Sequence, residues 1–171
     1  MKDRIKIGVS ACLLGEKVRY DGGHRLNPSL KENLEGFVDW VPVCPEVECG
    51  LPVPREPMHL VPGPETPRLV TLVTGVDHTS RILQWAKKKL PELELEKLCG
   101  FIFKCRSPSC GVRDVSMESA SGTVQTAGAG LFARAFMEHF PSLPVEDEEG
   151  LKDPLLRGNF IYRLCLPDKM S

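Results

Sequence analysis

The sequence predicts an α/β fold in which a mainly parallel, Rossmann-like sheet is sandwiched by helices, with a proline-rich loop and a β-hairpin arm. Two observations support this fold class. Short apolar runs rich in β-branched residues alternate with segments of ten or more residues whose apolar side chains recur at helical spacing. A chain of 171 residues is also suited to one core, so residues 1–171 are expected to form a single domain.

The first part of the chain contains two predicted strands that each lead to a cysteine. Residues 5–10 form a buried-strand pattern that ends next to Cys12. A helix is expected over residues 28–36, because proline suits the first turn of a helix and glycine its end. A second strand, predicted over residues 37–43, ends at Cys44.

The middle of the chain is dense in proline between residues 49 and 68, which excludes a regular helix or a central strand there. Residues 58–61 and 69–74 are predicted to pair as the arms of a hairpin. A long amphipathic helix follows, capped by Asp77 or Thr79. Pro91 is expected to interrupt or end the first part of that helix.

The last part of the chain begins with a third strand that leads to another cysteine, Cys110. We then predict a polar hairpin over residues 112–128 and a helix over residues 129–140. A short fourth strand over residues 144–145 and a closing amphipathic helix over residues 154–166 complete the chain.

Composition and charge exclude several classes of protein. The net charge of −1 argues against binding to long nucleic acid, which needs a basic surface. We find neither a signal peptide nor an apolar stretch long enough to cross a membrane, so a cytoplasmic location without a membrane partner is expected. The seven cysteines are then unlike a disulfide framework, which leaves metal binding, catalysis or burial. Oligomeric state is not constrained.

Three of the cysteines follow predicted strands. In open parallel sheets ligands bind beyond the carboxyl ends of the strands, so Cys12, Cys44 and Cys110 are able to face one crevice. Thiolates bind iron–sulfur clusters, zinc or copper(I). Cys99 and Cys165 lie in apolar contexts and are expected to be buried.

Spacing alone leaves a second arrangement open. The chain has no C-x-x-C pair, which disfavours a zinc ribbon or a ferredoxin-type run. Cys44 with Cys49, and Cys105 with Cys110, are both C-x4-C pairs that would supply a four-cysteine zinc site. A non-catalytic iron–sulfur or zinc-binding module with a regulatory or interaction role is therefore the alternative to an enzyme.

Several sequence blocks resemble the signature blocks of the thiouracil desulfidase family, long described as a domain of unknown function. These blocks are SACLLG, RYDG, CPEV, GLPVPREP, KCRSPSCG, GVDHT, GLFARAF and DPLLRGNFIYR. The resemblance implies an α/β sandwich that holds a 4Fe–4S cluster through three cysteines and leaves one iron open. The chain departs from the family at Val18, where members often have cysteine, and at Cys49, where they often have glycine.

The resemblance also implies roles for individual residues. Cys12, Cys44 and Cys110 become the metal ligands, and Glu46 and Ser107 become catalytic residues. The implied activity is hydrolytic and non-redox: C=S of thiolated uracil or its nucleotide becomes C=O, and sulfide is released.

Five further residues are candidates for binding a small thiopyrimidine or thionucleotide substrate. Arginine suits bidentate contacts to phosphate and tyrosine stacks on a base. In the structural alternative, Arg19 pairs with Asp21, and Tyr20 belongs to the core. The candidates are Arg19, Tyr20, Asp21, Arg55 and Ser109.

Overall fold

The computed structural model of the protein describes residues 4–34 and 36–166. The strands are β1 Ile5–Ser10, β2 Val38–Val43, β3 Met58–Val61, β4 Arg68–Thr71, β5 Gly100–Phe103, β6 Ser116–Glu118, β7 Val124–Thr126 and β8 Val145–Asp147. The helices are α1 Pro28–Leu34, α2 Pro45–Glu48, α3 Thr79–Leu95, α4 Leu131–His139 and α5 Pro154–Leu164.

Two four-stranded sheets organise the described residues. The first has the order β2-β1-β5-β8, and each neighbouring pair in it is parallel. The second has the order β4-β3-β6-β7 and joins two antiparallel hairpins through one parallel contact, between Leu60 and Met117. The predicted α/β fold with a mainly parallel sheet is confirmed.

Both faces of the parallel sheet are covered. Side chains alternate along β5, so Phe101 and Phe103 pack on the side of α3 and α4, whereas Ile102 packs on the side of α1 and α5. Burial on both faces is typical of parallel sheets. Gly8 in β1 allows this packing, since a Cβ there would lie 2.2 Å from the ring of Phe101.

Most helices and strands follow the predictions. Helix α2 was not predicted from the sequence, strand β8 continues to Asp147 rather than ending at residue 145, and two further elements differ. Helix α3 continues through Pro91. Because proline has no N–H, the carbonyl of Lys87, one turn earlier, lacks its helical hydrogen bond. Both Pro91 and Lys87 are exposed, so water can hydrate that carbonyl. Strand β4 ends at Thr71 rather than at residue 74. The helix predicted over residues 28–36 is observed as α1, and Glu35 lies outside the described residues.

Helix α5 forms over the predicted segment, but few of its side chains are buried, chiefly Phe160 and Leu164. The expectation that Cys165 is buried is wrong, because it lies exposed at the end of this helix, and Cys99 is only partly buried. None of the helices within the described residues combines the length and the apolar composition that a membrane span requires.

Candidate functional site

A cavity of about 320 Å³ lies beyond the carboxyl ends of β1, β2 and β5. Cys12, Cys44 and Cys110 all line it, so the structure brings the three predicted ligands to one place. Nine of the ten residues predicted for the site line this cavity; the exception is Asp21.

Each cysteine is held by the turn that follows its strand. Cys12 lies in a 3-10 turn, Ala11–Leu14, that ends at Gly15 in a left-handed conformation with φ 92°. Cys44 is the N-cap of α2, and its N–H donates to Glu48 Oε1 at 3.1 Å. The N–H of Cys110 donates to Ser107 Oγ at 3.1 Å.

Burial raises the pKa of all three thiols, because the thiolate loses its hydration in the protein interior. For Cys44 the pKa rises to about 11. The pKa of Cys110 is raised first by burial and then by the negative charges that Cys44, Glu46 and Cys12 would carry. A metal centre binding here would displace the thiol protons.

Glu46 reaches the same cavity from the first turn of α2 and forms a buried ion pair with Arg55. The two side chains are 14% and 6% exposed. Arg55 Nε donates to Glu46 Oε2 at 2.8 Å, and Arg55 Nη2 donates to the same oxygen. Arg55 therefore contacts Glu46 rather than standing free in the cavity.

The other oxygen of Glu46 accepts a hydrogen bond from Ser109, which is hydrogen-bonded in turn to Ser107. Ser109 Oγ donates to Glu46 Oε1 at 2.9 Å and lies 3.1 Å from Ser107 Oγ. Ser107 Oγ also accepts from the N–H groups of Cys110 and Ser109, at 3.1 and 3.3 Å. Ser107, Ser109 and Glu46 thus form one hydrogen-bonded chain at the cavity wall.

A second buried ion pair flanks the cavity, and we did not predict it from the sequence. Lys104 Nζ contacts Glu148 Oε1 and lies 3.2 Å from Cys105 Sγ. Glu148 Oε2 accepts from the N–H of Cys105 at 2.8 Å. Lys104 and Cys105 line the cavity, and Glu148 neutralises the lysine from behind. Glu148 immediately follows the observed strand β8, but the strand predicted over residues 144–145 ends three residues before it, so the sequence did not place Glu148 at the strand end.

Arg19 and Tyr20 line the cavity, but Asp21 is exposed outside it. Asp21 Oδ1 accepts from the N–H of Gly23 at 2.9 Å and lies 4.0 Å from Arg19 Nε. Arg19 Nε is buried and has no hydrogen-bond partner among residues 4–34 and 36–166. Arg19 and the exposed Arg25 are two cations on the wall of the same cavity.

The four-cysteine zinc site is not formed. Cys49 packs against the apolar cluster around Leu60 and Ile82, and its thiol donates to the carbonyl of Glu46 at 3.2 Å. Within the described part of the chain, no three His, Cys, Asp or Glu side chains are grouped closely enough to hold a single metal ion. Cluster ligands bind different iron atoms and do not need that closeness.

Comparison with known proteins gives three matches. The family model for 2-thiouracil desulfurase matches residues 7–148. YbbK of Bacillus subtilis (strain 168), an uncharacterized protein, is 33% identical over 134 residues, which are 73% of this chain and 85% of YbbK. A solved structure of the [4Fe-4S]-dependent thiouracil desulfidase TudS superposes with a TM-score of 0.70 at 31% identity and covers 91% of this chain and 99% of its own.

Proposed function

Because this chain belongs to the 2-thiouracil desulfurase family, we propose that it is a 4Fe–4S-dependent desulfidase that converts C=S of thiolated uracil, or of its nucleotide, to C=O. The observation that carries the proposal is the single cavity that gathers Cys12, Cys44 and Cys110 beside Glu46. The family resemblance of the sequence blocks is confirmed by the match over residues 7–148.

The residues of the cavity fit an iron–sulfur cluster by their chemistry. Cys12, Cys44 and Cys110 provide three soft thiol donors, and they come from three separate loops. Three ligands rather than four would leave one iron open, and when bound, such a cluster supplies a Lewis acid for soft sulfur. The positive charge of Lys104 lies near Cys12 and favours a group that carries thiolates.

The chain's own residues supply the proton transfers. Because Ser109 Oγ donates to Glu46, it accepts from Ser107 Oγ–H, so the hydrogen bonds run from Ser107 through Ser109 to the carboxylate. Water adds to the thiocarbonyl carbon, Glu46 accepts one of its protons through this chain, and the C–S bond breaks. Sulfide leaves with both water protons, so C=S plus water gives C=O plus hydrogen sulfide without oxidation or reduction.

The remaining lining residues suit a small polar substrate. A volume of about 320 Å³ is at the lower end of the range for small-molecule sites. Tyr20 provides a surface on which a pyrimidine can stack, and Arg19 and Arg25 provide donors for an anionic substituent. A cytoplasmic location is part of the proposal, since a reducing compartment keeps such thiols available for metal.

The alternative, a non-catalytic iron–sulfur module, differs in its need for an acid. A sensing module requires no carboxylate at the cavity, whereas Glu46 is held there by Arg55 and Ser109. The activity of a Glu46 variant therefore separates the two functions.

The direct test is anaerobic reconstitution followed by incubation with 2- and 4-thiouracil and their nucleotides. We expect loss of thiocarbonyl absorption with release of one sulfide per substrate. Glu46→Gln should lower the rate at least 100-fold, on the order expected for a general base. Glu118→Gln, which changes an exposed carboxylate on β6 outside the cavity, should leave the rate unchanged. A brown protein that leaves every thiopyrimidine intact would refute the activity.

The ligands are tested by iron content. Single changes to serine at Cys12, Cys44 and Cys110 should each lower the iron bound after reconstitution. The matched control is Cys49→Ser, because Cys49 lies outside the cavity lining and should keep full occupancy. Loss of iron in Cys105→Ser, with retention in one of the three, would mean that the ligand set is wrong. A colourless, zinc-loaded protein would rule out the cluster.

A further inference from the structure

We propose that Arg55 is a positioning residue that acts through Glu46, and that it does not bind the phosphate of a nucleotide. This inference rests on the proposed function for the catalytic role of Glu46. It replaces the substrate-binding role that the sequence suggested for Arg55, and it assigns recognition of an anionic substrate to other cations of the cavity.

The donors of Arg55 are directed at the protein. Nε and Nη2 both contact Glu46 Oε2, Nη2 also donates to the carbonyl of Val18 at 2.9 Å, and Nη1 donates to the carbonyl of Pro52 at 3.2 Å. With 6% of its side chain exposed, the guanidinium has little surface left for a ligand. A phosphate would have to displace Glu46 to make a bidentate contact.

The contacts of Arg55 join three walls of the cavity. Val18 belongs to the loop after β1, Glu46 to α2 after β2, and Pro52 to the proline-rich loop. The backbone N–H of Arg55 adds a fourth contact, to the carbonyl of Tyr20 at 2.8 Å. The side chain therefore fixes the distance between the loop that contains Tyr20 and the carboxylate.

The contacts also distinguish the two oxygens of Glu46. Both donors from Arg55 go to Oε2, whereas Oε1 accepts from Ser109. A carboxylate held on one oxygen by a rigid fork of donors cannot rotate freely, so Oε1 stays aligned with the serine chain. Loss of the fork should leave Glu46 in place but misaligned, and misplacement by about 1 Å is enough to slow catalysis on the order of 100-fold.

Recognition of charge is left to two cations that are held less firmly than Arg55. Arg19 Nε lies 4.0 Å from the exposed Asp21, and the exposed Arg25 donates from Nη1 to the carbonyl of His24 at 3.0 Å; both residues line the cavity. If Arg55 acts only through Glu46, its replacement lowers the rate of conversion equally for a thiouracil base and for its nucleotide. If it binds phosphate, the nucleotide alone is affected.

The test compares Arg55→Gln and Arg55→Lys, reconstituted as holoenzymes, on 4-thiouracil and its 5′-nucleotide. For Arg55→Gln we expect kcat to fall on the order of 100-fold for both substrates, with KM changed less than about threefold. Arg55→Lys should recover part of kcat, since lysine keeps the charge but not the fork. Arg19→Gln should instead raise KM for the nucleotide more than for the base. Arg81→Gln, an exposed arginine outside the cavity lining, is the matched control.

A double-mutant cycle shows whether the effect passes through Glu46. In a Glu46→Gln background, Arg55→Gln should cost less than about threefold in kcat, because its partner is already changed. Multiplicative losses, or a rise in nucleotide KM alone, would overturn the proposal. The same cycle measured by urea midpoint needs no activity. Because Arg55 also donates to the carbonyls of Val18 and Pro52, the double variant should lose stability, but by less than the sum of the two single shifts, and additive shifts would overturn the pairing. A wild-type enzyme inactive on both substrates would instead refute the proposed function.

Discussion

The thiols of the cavity should resist alkylation in the metal-free protein. Burial raises the pKa of Cys44 to about 11, from an ordinary value of 9.0. At pH 8 roughly one Cys44 thiol in a thousand is then ionised, against about one in ten for an ordinary cysteine. Reagents such as iodoacetamide react with the thiolate, so Cys44 should react on the order of 100-fold more slowly than an exposed cysteine.

The assay is pulsed alkylation of the metal-free, reduced protein at pH 8, followed by peptide mass spectrometry. Cys165 is exposed and provides an internal control in the same sample. In urea the two residues should react at similar rates, because unfolding removes the burial. Labelling of folded Cys44 as fast as Cys165 at pH 8 would refute the reasoning.

The same pKa predicts how the stability of the metal-free protein depends on pH. The folded protein holds the Cys44 proton more tightly than the unfolded chain does, so the stabilisation is complete below about pH 9 and is lost as the pH rises toward 11. A pKa raised from 9.0 to about 11 corresponds to a loss on the order of 3 kcal/mol. Urea unfolding at pH 8 and pH 11, with Cys44→Ala as the control, measures this loss; equal losses in both proteins would contradict it.

Three stability predictions follow from the packing. Glu148→Ala leaves the Lys104 ammonium buried without its carboxylate partner, so the free energy of unfolding should fall by about 3 kcal/mol. Thermal scanning should show a decrease in Tm of roughly 6–12 °C. A loss under about 1 kcal/mol would contradict the role of the ion pair. Gly8→Ala should cost about 1–3 kcal/mol by urea unfolding, because its Cβ would lie 2.2 Å from the ring of Phe101. Gly158→Ala in α5, where a Cβ meets nothing within 4 Å, should stabilise by about 0.5–1 kcal/mol.

Elements whose signal is local could be predicted from the sequence. The strand that ends before Cys12 forms where its pattern places it, and the hairpin of β3 and β4 forms with a shorter second arm than predicted. Pro91 shows the limit of such rules, since the cost of a proline inside a helix, about 3 kcal/mol, can be offset by tertiary packing elsewhere on the helix. Helix α3 packs extensively on α4, and that tertiary contact was not visible in the sequence around Pro91. The parallel contact between β3 and β6 joins two hairpins that the sequence predicts separately.

The candidate site also has a part that the sequence predicts and a part that it does not. That three cysteines line one cavity could be predicted, because each follows a strand and strand ends of a parallel sheet share an edge. Their role as ligands, like the roles of Glu46 and Ser107, stays a prediction. The pairing of Glu46 with Arg55 was missed because an arginine in a proline-rich loop carries no local sign of its partner. Asp21 was included because it adjoins two lining residues, but its side chain is directed elsewhere.

The strand order explains why these loops meet. Strand β2 lies on one side of β1, and β5 lies on the other side. The loop after β1 therefore runs toward β2 and the loop after β5 runs toward β8, which opens a crevice between them at the carboxyl ends of the strands. Adjacent strands lie about 4.8 Å apart, which puts the ends of β2 and β5 roughly 10 Å from each other with β1 in between. Three cysteines on those ends can surround a cluster that no single loop could enclose.

Strand β8, which lies next to β5, contributes a negative charge beside the crevice. Phe103 pairs with Asp147 in the register of β5 and β8, so the residues that follow them, Lys104 and Glu148, are neighbours across the two strand ends. The fold thereby places a cation beside the thiols and an anion behind that cation. Each strand of the parallel sheet contributes a charged side chain or a cysteine beyond its carboxyl end. The second sheet contributes the loop before β3, from which Arg55 aligns the carboxylate that the proposed reaction requires.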